Sequence, residues 1–344
     1  MPKRPTVADI AREAGVGVAT VDRVLNARAP VRAETARRVY EAAEAVGYHG
    51  TSLMRRRAQE ALPSHRFGYL LQRPDQIFYQ DFARELREAT AAPHAGFRSD
   101  ALLSFLPSQK PSDIVEHLRD MARKVDAIAM VAVDHPAVTT AVAEIERSGK
   151  PVFSLLSDFA PGVRRGYIGT NNRKVGRTAG WLVAKAAPVK GKVAIFVGSH
   201  RFHGHEMREI GFRSYLRETA PELELIDTQV SLEDDDLAHE ATLDLLRRHP
   251  DLVAIYLAGG GTEGAISALR EEAVAPSQVL ICNEINPVTR AALADNIATA
   301  VIATPLRALS ATLVAQMANA VGGHDADPPG QTFLPFDISV SETN

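Results

Sequence analysis

Apolar positions along the chain change their period near residue 67. Before it they recur at intervals of three and four. Val7, Ile10, Ala11 and Ala14 form one stripe, the spacing of a helix with a single buried face. Thr6 stands at the N-cap position, and Asp9 three residues on completes a variant of the capping box. Gly15 predicts the end of that helix, because the residue after a helix often takes the left-handed conformation. Val21, Val24 and Leu25 mark a second helix, and Val39, Ala42, Ala43 and Val46 a third from about Arg32, ending at Gly47. Three short helices around one small core, with a turn near Gly15, predict a helix-turn-helix.

After residue 67 the pattern becomes short continuous apolar runs: "RFGYLLQ", "VDAIAMVAV", "KPVFSLLS", "GKVAIFVG", "LVAIYLAGG" and "QVLICNE". Each ends in polar residues or glycine, and helical stretches such as "PSDIVEHLRDMAR" and "GFRSYLRETA" lie between them. Such alternation predicts parallel sheets covered by helices. The chain is long enough for two sheets, with a natural division near residue 187, before "GKVAIFVG". Ligands of such folds bind beyond the carboxyl ends of strands, so chemistry is expected in the strand-following loops.

Charge adds a partner to this picture. Residues 1–66 hold 12 lysines and arginines against 7 aspartates and glutamates, a local +5, while the remainder carries −8. A basic piece on an acidic body suggests a polyanion partner for the small piece. The exposed side of the second helix carries Gly17, Val18, Ala19, Asp22 and Arg23. Arg23 suits a bidentate contact to guanine, and Val18 or Ala19 a thymine methyl. Arg12, Arg28, Arg32, Arg37 and Arg38 suit phosphates, with Thr6 and Thr20 as neutral contacts. The rival reading is a small helical cap packed on a larger domain. Cys282 is the one cysteine, so an intrachain disulfide is excluded, which fits a reducing cytoplasm. "MPKRPTVADI" lacks the apolar core of a signal peptide and no run is long enough to span a bilayer. A cytoplasmic protein without a membrane partner is expected.

"TVADIAREAGVGVATVDRVLN" followed by "VRAETARRVYEAAEAVGY" resembles the DNA-binding headpiece of the lactose-repressor (LacI) family of bacterial transcription regulators. The resemblance implies a recognition helix near Gly17–Asn26, with Val18, Ala19 and Arg23 reaching bases. It implies that Asn26 and Tyr48 help hold the headpiece on the DNA backbone. Two residues depart from the family: Asp22 stands where serine is usual, and Gly17 where serine usually caps the recognition helix. "HGTSLMRRRAQEALPSHR" over 49–66 occupies the place of the family's hinge helix, which orders on DNA and wedges a leucine into the minor groove. Here Arg57 falls at that leucine and Met54 where alanine is usual, so the arginines are expected to grip phosphates or a narrow minor groove. The rival reading is a solvated linker.

The strand-following loops hold Phe78 and Tyr79, Asp134 and His135, Asp158, Asn171 and Asn172, Arg208, the run "GGGTEG" and "NEIN". Aromatic rings, carboxylates, amides and one arginine match a polyhydroxylated ligand, whose apolar face stacks and whose hydroxyls are chelated. The body, and "SDFAPGVRRGYIGTNNRKVGRTAG" above all, looks like the type 1 periplasmic sugar-binding fold that the repressor family uses as its effector domain. That likeness implies ligand contacts at Asp158, Asn172, Arg208 and Glu284. Thr304 stands where glutamine is common, which implies a ligand other than an ordinary hexose. His135 reads as structural.

Two signals compete. "GGGTEG", Gly259 to Gly264, satisfies the dinucleotide fingerprint after a strand, the basis of the alternative reading as an NAD-dependent oxidoreductase. It falls late in the chain, and Glu263 inside the turn opposes a pyrophosphate. In the preferred reading Gly260 lets backbone approach the ligand at a helix N-terminus. His200, His203 and His205 cluster in one stretch with Glu206, but a metal needs convergent ligands, and a histidine-rich loop is the commoner outcome. "LEDDDL" reads as the charged first turn of a helix.

The expected fold class is therefore α/β: a small all-α helix-turn-helix headpiece over 1–48, a hinge over 49–66, and a body over 67–344. The body is read as two doubly wound parallel-sheet subdomains with a ligand cleft between them, serving effector binding and dimerisation. No catalytic group, metal or cofactor is assigned. The expected partners are near-palindromic operator DNA, a sugar or polyol-like effector, and a second copy of the chain, with a tetramer as the alternative.

Overall fold

The computed structural model describes residues 5–26, 31–48, 62–92, 94, 97–187, 190–272, 278–323 and 330–343. The headpiece helices belong to one compact unit, and residues 66–90 and 101–344 form the other.

The headpiece contains α1 (Val7–Ala14), α2 (Val18–Asn26) and α3 (Ala33–Ala45). Both the backbone N–H and the hydroxyl of Thr6 donate to Asp9 Oδ2, at 2.9 and 2.7 Å. Gly15 has φ 64°, and the N–H of Val16 returns to the Ala11 carbonyl, the closure that a left-handed residue permits. Arg38 donates to the Ala14 carbonyl at 2.6 Å. This arginine, expected at a phosphate, fastens the turn between α1 and α2. Ile10, Ala14, Val21, Leu25, Val39 and Ala43 meet in the core, with Val7, Val46 and Tyr48 packed at its margin.

The body is built on two sheets. The first uses β1 (Ser64–Leu71), β2 (Arg98–Phe105), β3 (Ala127–Met130), β4 (Val152–Leu155), β5 (Gly166–Thr170) and β12 (Gly330–Leu334), in the order β12-β5-β4-β3-β1-β2. The second uses β6 (Gly191–Val197), β7 (Leu223–Leu225), β8 (Gln229–Val230), β9 (Leu252–Leu257), β10 (Val279–Asn283), β11 (Ala300–Ala303) and β13 (Asp337–Ser339). Its order is β13-β11-β10-β9-β6-β7, with β8 on β6. Apart from the antiparallel β13, the registered pairs are parallel. The order reverses between β1 and β3 in one sheet, and between β6 and β9 in the other. Those are the switch points where doubly wound sheets open a crevice.

The connecting helices are α4 (Ile77–Ala91), α5 (Pro111–Ala122), α6 (Pro136–Arg147), α7 (Asn172–Ala186), α8 (His203–Thr219), α9 (Asp235–Arg248), α10 (Thr262–Glu271), α11 (Pro287–Ala294) and α12 (Leu306–Val321). Along β6, Val193, Ile195 and Val197 enter one apolar cluster while Ala194 and Phe196 enter another. A strand buried on both faces reads as a continuous apolar run, which is why alternation is absent from "GKVAIFVG".

The boundary between the sheets differs from the expected one near residue 187. Val175, Ala179 and Val183 of α7 already pack in the core of the second sheet, so the division falls before α7. The chain also returns: α12 packs on β3 and β5 and β12 extends the first sheet, before β13 rejoins the second. Three crossings therefore link the subdomains, at 170–172, 303–306 and 334–337.

Candidate functional site

A cavity of about 90 Å³ lies at the carboxyl ends of the strands of both sheets. The first sheet supplies Gln76, Phe78 and Tyr79 after β1, Val131 after β3, Ser157 after β4 and Asn172 after β5. The second supplies Phe202, His205 and Arg208 after β6, Glu233 after β8, Gly260 and Glu263 after β9, and Asn283, Glu284 and Asn286 at the end of β10.

Arg208 organises the floor. Its Nε donates to Asn172 Oδ1 at 2.8 Å and one terminal nitrogen to the Ala258 carbonyl at 2.9 Å. The other stands 3.5 Å from Glu284 Oε1. The arginine holds this place because α7 and α8 pack backbone to backbone. A Cβ on Gly176 would fall 1.9 Å from the Arg208 carbonyl oxygen, and one on Gly211 2.3 Å from that of Arg173. Asn172 Nδ2 in turn donates to the Leu156 carbonyl. The Glu284 carboxylate accepts from both the backbone N–H and the hydroxyl of Thr304, each at 2.8 Å. Thr304 thus positions a cavity residue, while the side chain at its own site stays outside the lining.

The aromatic wall is Phe78 and Tyr79, whose rings meet edge to face with centroids 5.1 Å apart. Tyr79 is buried, and burial, then the charges of Glu233 and Glu284, keep its hydroxyl protonated well above the ordinary range.

Glu233, near Tyr79, is 4% exposed. Burial pushes its carboxyl up to about 7, opposed by Arg73 and Arg208. Its main-chain carbonyl accepts from Arg73 and Gln76 of the first sheet's loop, at 2.8 and 2.9 Å, so it bridges the two subdomains. His205 stands with Nε2 3.6 Å from Glu233 Oε1. Burial and the nearby Arg208 hold this imidazole down to about 3. Its Nδ1 accepts from the Ser199 N–H, which leaves the proton of the neutral ring on Nε2.

Asp158 and Asp134 are not brought into the lining. The Asp158 carboxylate is gripped by Arg164 through Nε and Nη2, at 2.5 and 2.7 Å, and also accepts from Ser154 and Gln331. Burial alone would raise this carboxyl, but these donors outweigh it and hold it below its usual value. With Arg164 bonded to the Gly330 carbonyl, the pair staples β12 to the sheet. Asp134 is exposed and accepts from the Ala160 N–H. His135 caps α6 through Nδ1.

Sequence reasoning placed Asn283 in a ligand loop and read His205 as part of a histidine-rich loop, but it did not assign Glu233 or Asn286 to the cavity. Glu233 was hidden in "LEDDDL": Asp234 does cap α9, but the residue before it turns into the cavity with φ 58°. The three histidines diverge, His200 to Glu209 and His203 to Glu206. Among the described residues no group of metal-binding side chains converges. The glycine turn does not form a phosphate cradle. A Cβ on Gly260 would lie 2.8 Å from Glu233 Cβ, and Ser231 donates to the Gly260 carbonyl at 2.6 Å. The space above the turn is therefore occupied by an acidic segment.

In the headpiece, the outer face of α2 presents Gly17, Val18, Ala19 and Arg23, with Val18 53% exposed. Thr6 is exposed, and Thr20, Asp22 and Tyr48 are half-buried. Arg28, Met54, Arg57 and the Asn26 side chain lie outside the described residues.

The chain thus combines a helix-turn-helix whose outer face is open with a body of two doubly wound sheets that line one polar cavity. Comparison with known proteins agrees. Residues 67–325 match the periplasmic binding protein domain family, and residues 6–50 match the bacterial regulatory proteins of the lacI family. The chain belongs to the periplasmic binding protein domain family over its body and carries an N-terminal segment that matches the lacI family model. An uncharacterised HTH-type transcriptional regulator in the aml 5′ region of Streptomyces limosus is 28% identical over 222 residues, 63% of this chain and 59% of the relative. Catabolite control protein A of Priestia megaterium is 28% identical over 149 residues, 43% and 42% of the two chains. The matches thus span little more than half, and less than half, of these relatives. A solute-binding protein of an ABC transporter from Burkholderia graminis, solved with D-arabinose, superposes with TM-score 0.72 at 22% identity, covering 80% of this chain and 95% of that one. That likeness concerns the fold. None of these relatives supports the oxidoreductase alternative. Among the described residues no helix is long and apolar enough to cross a membrane.

Proposed function

We propose that this protein is a DNA-binding transcription repressor whose operator affinity is set by a sugar or polyol-like molecule held between the two sheets. The observation that carries the reading is the outer face of α2. It offers Arg23, a base-reading donor, beside the exposed Val18, on a headpiece whose core side chains Ile10, Val21 and Val39 are fully buried. Arg23 contacts a guanine edge, Val18 and Ala19 face thymine methyls, and Thr6, Gly17, Thr20, Asn26, Arg28 and Tyr48 lie along the backbone. Asp22 adds an acidic neighbour that selects against some sequences by repulsion.

The cavity supports the effector half. Phe78 and Tyr79 form a stacking wall, and Arg208, Asn172, Glu284 and Asn283 supply fixed polar groups. The S. limosus and P. megaterium relatives are regulators by name, and the B. graminis protein was solved with a pentose. The protein works as a homodimer in the cytoplasm, because one headpiece is too small an interface for tight binding and two give a near-palindromic site. Ligand closure of the sheets shifts the subdomains and so the hinge segment, including Met54 and Arg57.

Fluorescence anisotropy of the purified protein on DNA from upstream of its own gene tests this, with a scrambled duplex as control. Selective binding that weakens with salt and changes with an added sugar is the expected result. Equal binding to both duplexes, with and without sugars, rejects it.

A further inference from the structure

The charges lining the cavity do not balance. Arg208 and Glu284 face each other at 3.5 Å and answer one another. Glu263 accepts from Asn286 Nδ2 at 2.8 Å. Glu233 remains. Its Oε1 has only the neutral His205 ring, 3.6 Å away, and its Oε2 has no hydrogen-bond partner among the described residues. Arg73 directs Nη2 to the Glu233 main-chain carbonyl and faces Asp75 at 3.7 Å, and its buried Nε has no hydrogen-bond partner among the described residues. Gln76 goes to the same carbonyl. Asp235, two residues on, adds further negative charge and accepts from the Gly264 N–H.

A buried carboxyl oxygen without a partner carries a desolvation cost that a cationic donor reverses. The backbone fixes this arrangement: Leu232 and Glu233 both have positive φ, 53° and 58°, an uncommon conformation for residues with side chains. It turns the side chain inward while Ser231 holds the loop to the Gly260 carbonyl and to the Glu233 N–H.

We propose that this cavity selects a polyhydroxylated ligand bearing a protonated amine, an amino sugar or amino polyol, whose ammonium pairs with the Glu233 carboxylate. The inference rests on the sugar reading and narrows it. The hydroxyls meet Arg208, Asn172 and Glu284 against Phe78, and the amine lies at the Glu233 end. Phosphorylated and acidic sugars are disfavoured, because their charge would be buried beside Glu233, Glu263 and Glu284, which outnumber Arg208 in the lining.

Isothermal titration of the full-length protein at neutral pH tests it, with D-glucosamine and D-galactosamine against D-glucose and D-galactose, D-glucuronate as the acidic sugar, and 1,4-diaminobutane as an amine without hydroxyls. Each amino sugar is expected to bind at least about tenfold tighter than its neutral counterpart, a difference of ~1.4 kcal/mol. In Glu233→Gln that ratio is expected to fall towards one. If that variant does not fold, the ratio in the unaltered protein decides. Neutral sugars or glucuronate binding as well as the amino sugars overturns the inference and leaves the sugar reading in place. Binding of the diamine with no sugar of either kind keeps the amine pairing and removes the sugar reading. Binding of none of them overturns both.

Discussion

Glu233 and Asp158 are both buried carboxyls, and their surroundings push them in opposite directions. Glu233 has a folded pKa raised to about 7, so the folded state retains its proton over a range where the unfolded chain has lost it. Stability contributed at this residue therefore falls as pH rises from the unfolded value to about 7, and the loss is complete above it. The size is on the order of 3 kcal/mol. Urea unfolding at pH 5 and pH 8 should show Glu233→Gln gaining on the parent protein at the higher pH. An unchanged difference removes the buried-acid assignment. Asp158 is the reverse case. Its folded pKa is lowered, so its contribution is present above the unfolded value and lost as pH falls through the folded one. Asp158→Ala leaves Arg164, 2% exposed, without its partner and should cost about 3–5 kcal/mol in the same unfolding assay. Arg208→Ala, by contrast, should abolish ligand response in the anisotropy assay while operator binding persists. The loops announced Arg208, Asn172 and Glu284 because each follows a strand. They concealed the role of Asp158, because its partner Arg164 meets it only when β5 pairs with β4.

Elements show where periodicity is informative and where it is not. The headpiece helices are legible because each buries a single stripe, and the long strands β1, β6, β9 and β10 because both faces are covered. β2 and β12 escaped because they are edge strands with few buried residues, and β11 because "AVIA" is too short to carry a period. Gly17 stands at the N-terminus of α2, its carbonyl accepting from Thr20 and Val21, and a Cβ there meets nothing within 4 Å. Gly17→Ser should therefore stabilise the headpiece by a few tenths of a kcal/mol through a side-chain cap, read as a rise in its melting temperature. Gly176 is the opposite case. A methyl group there collides with the Arg208 carbonyl, so Gly176→Ala should destabilise the body by about 1–3 kcal/mol and weaken ligand binding by displacing Arg208. Normal affinity in that variant would show that the α7–α8 contact does not set the arginine.

The whole molecule joins a basic headpiece to an acidic body whose two sheets are linked by three crossings. The crossings at 303–306 and 334–337 were illegible because no change of composition marks them. The chain simply passes from β11 into α12 with Thr304–Pro305 between. Arg73 and Gln76 of one subdomain hold the Glu233 carbonyl of the other, so a ligand touching both sides would act on any equilibrium between arrangements of the two sheets. If that equilibrium also governs the headpieces, the coupling is thermodynamic and reciprocal. Whatever factor the ligand imposes on operator affinity, in either direction, the operator must impose on ligand affinity. The expected factor is roughly 5–150-fold, the usual range of a coupling free energy of about 1–3 kcal/mol. Salt separates the two arms, since the operator constant falls steeply with ionic strength through counterion release while binding in a buried cavity is screened much less. The measurement is a pair of titrations at one salt concentration: operator into protein with and without saturating ligand, and ligand into protein with and without saturating operator. Equal factors different from one place both sites on one equilibrium. A factor of one in both pairs, operator binding unmoved by ligand and ligand binding unmoved by operator, rules out this coupling.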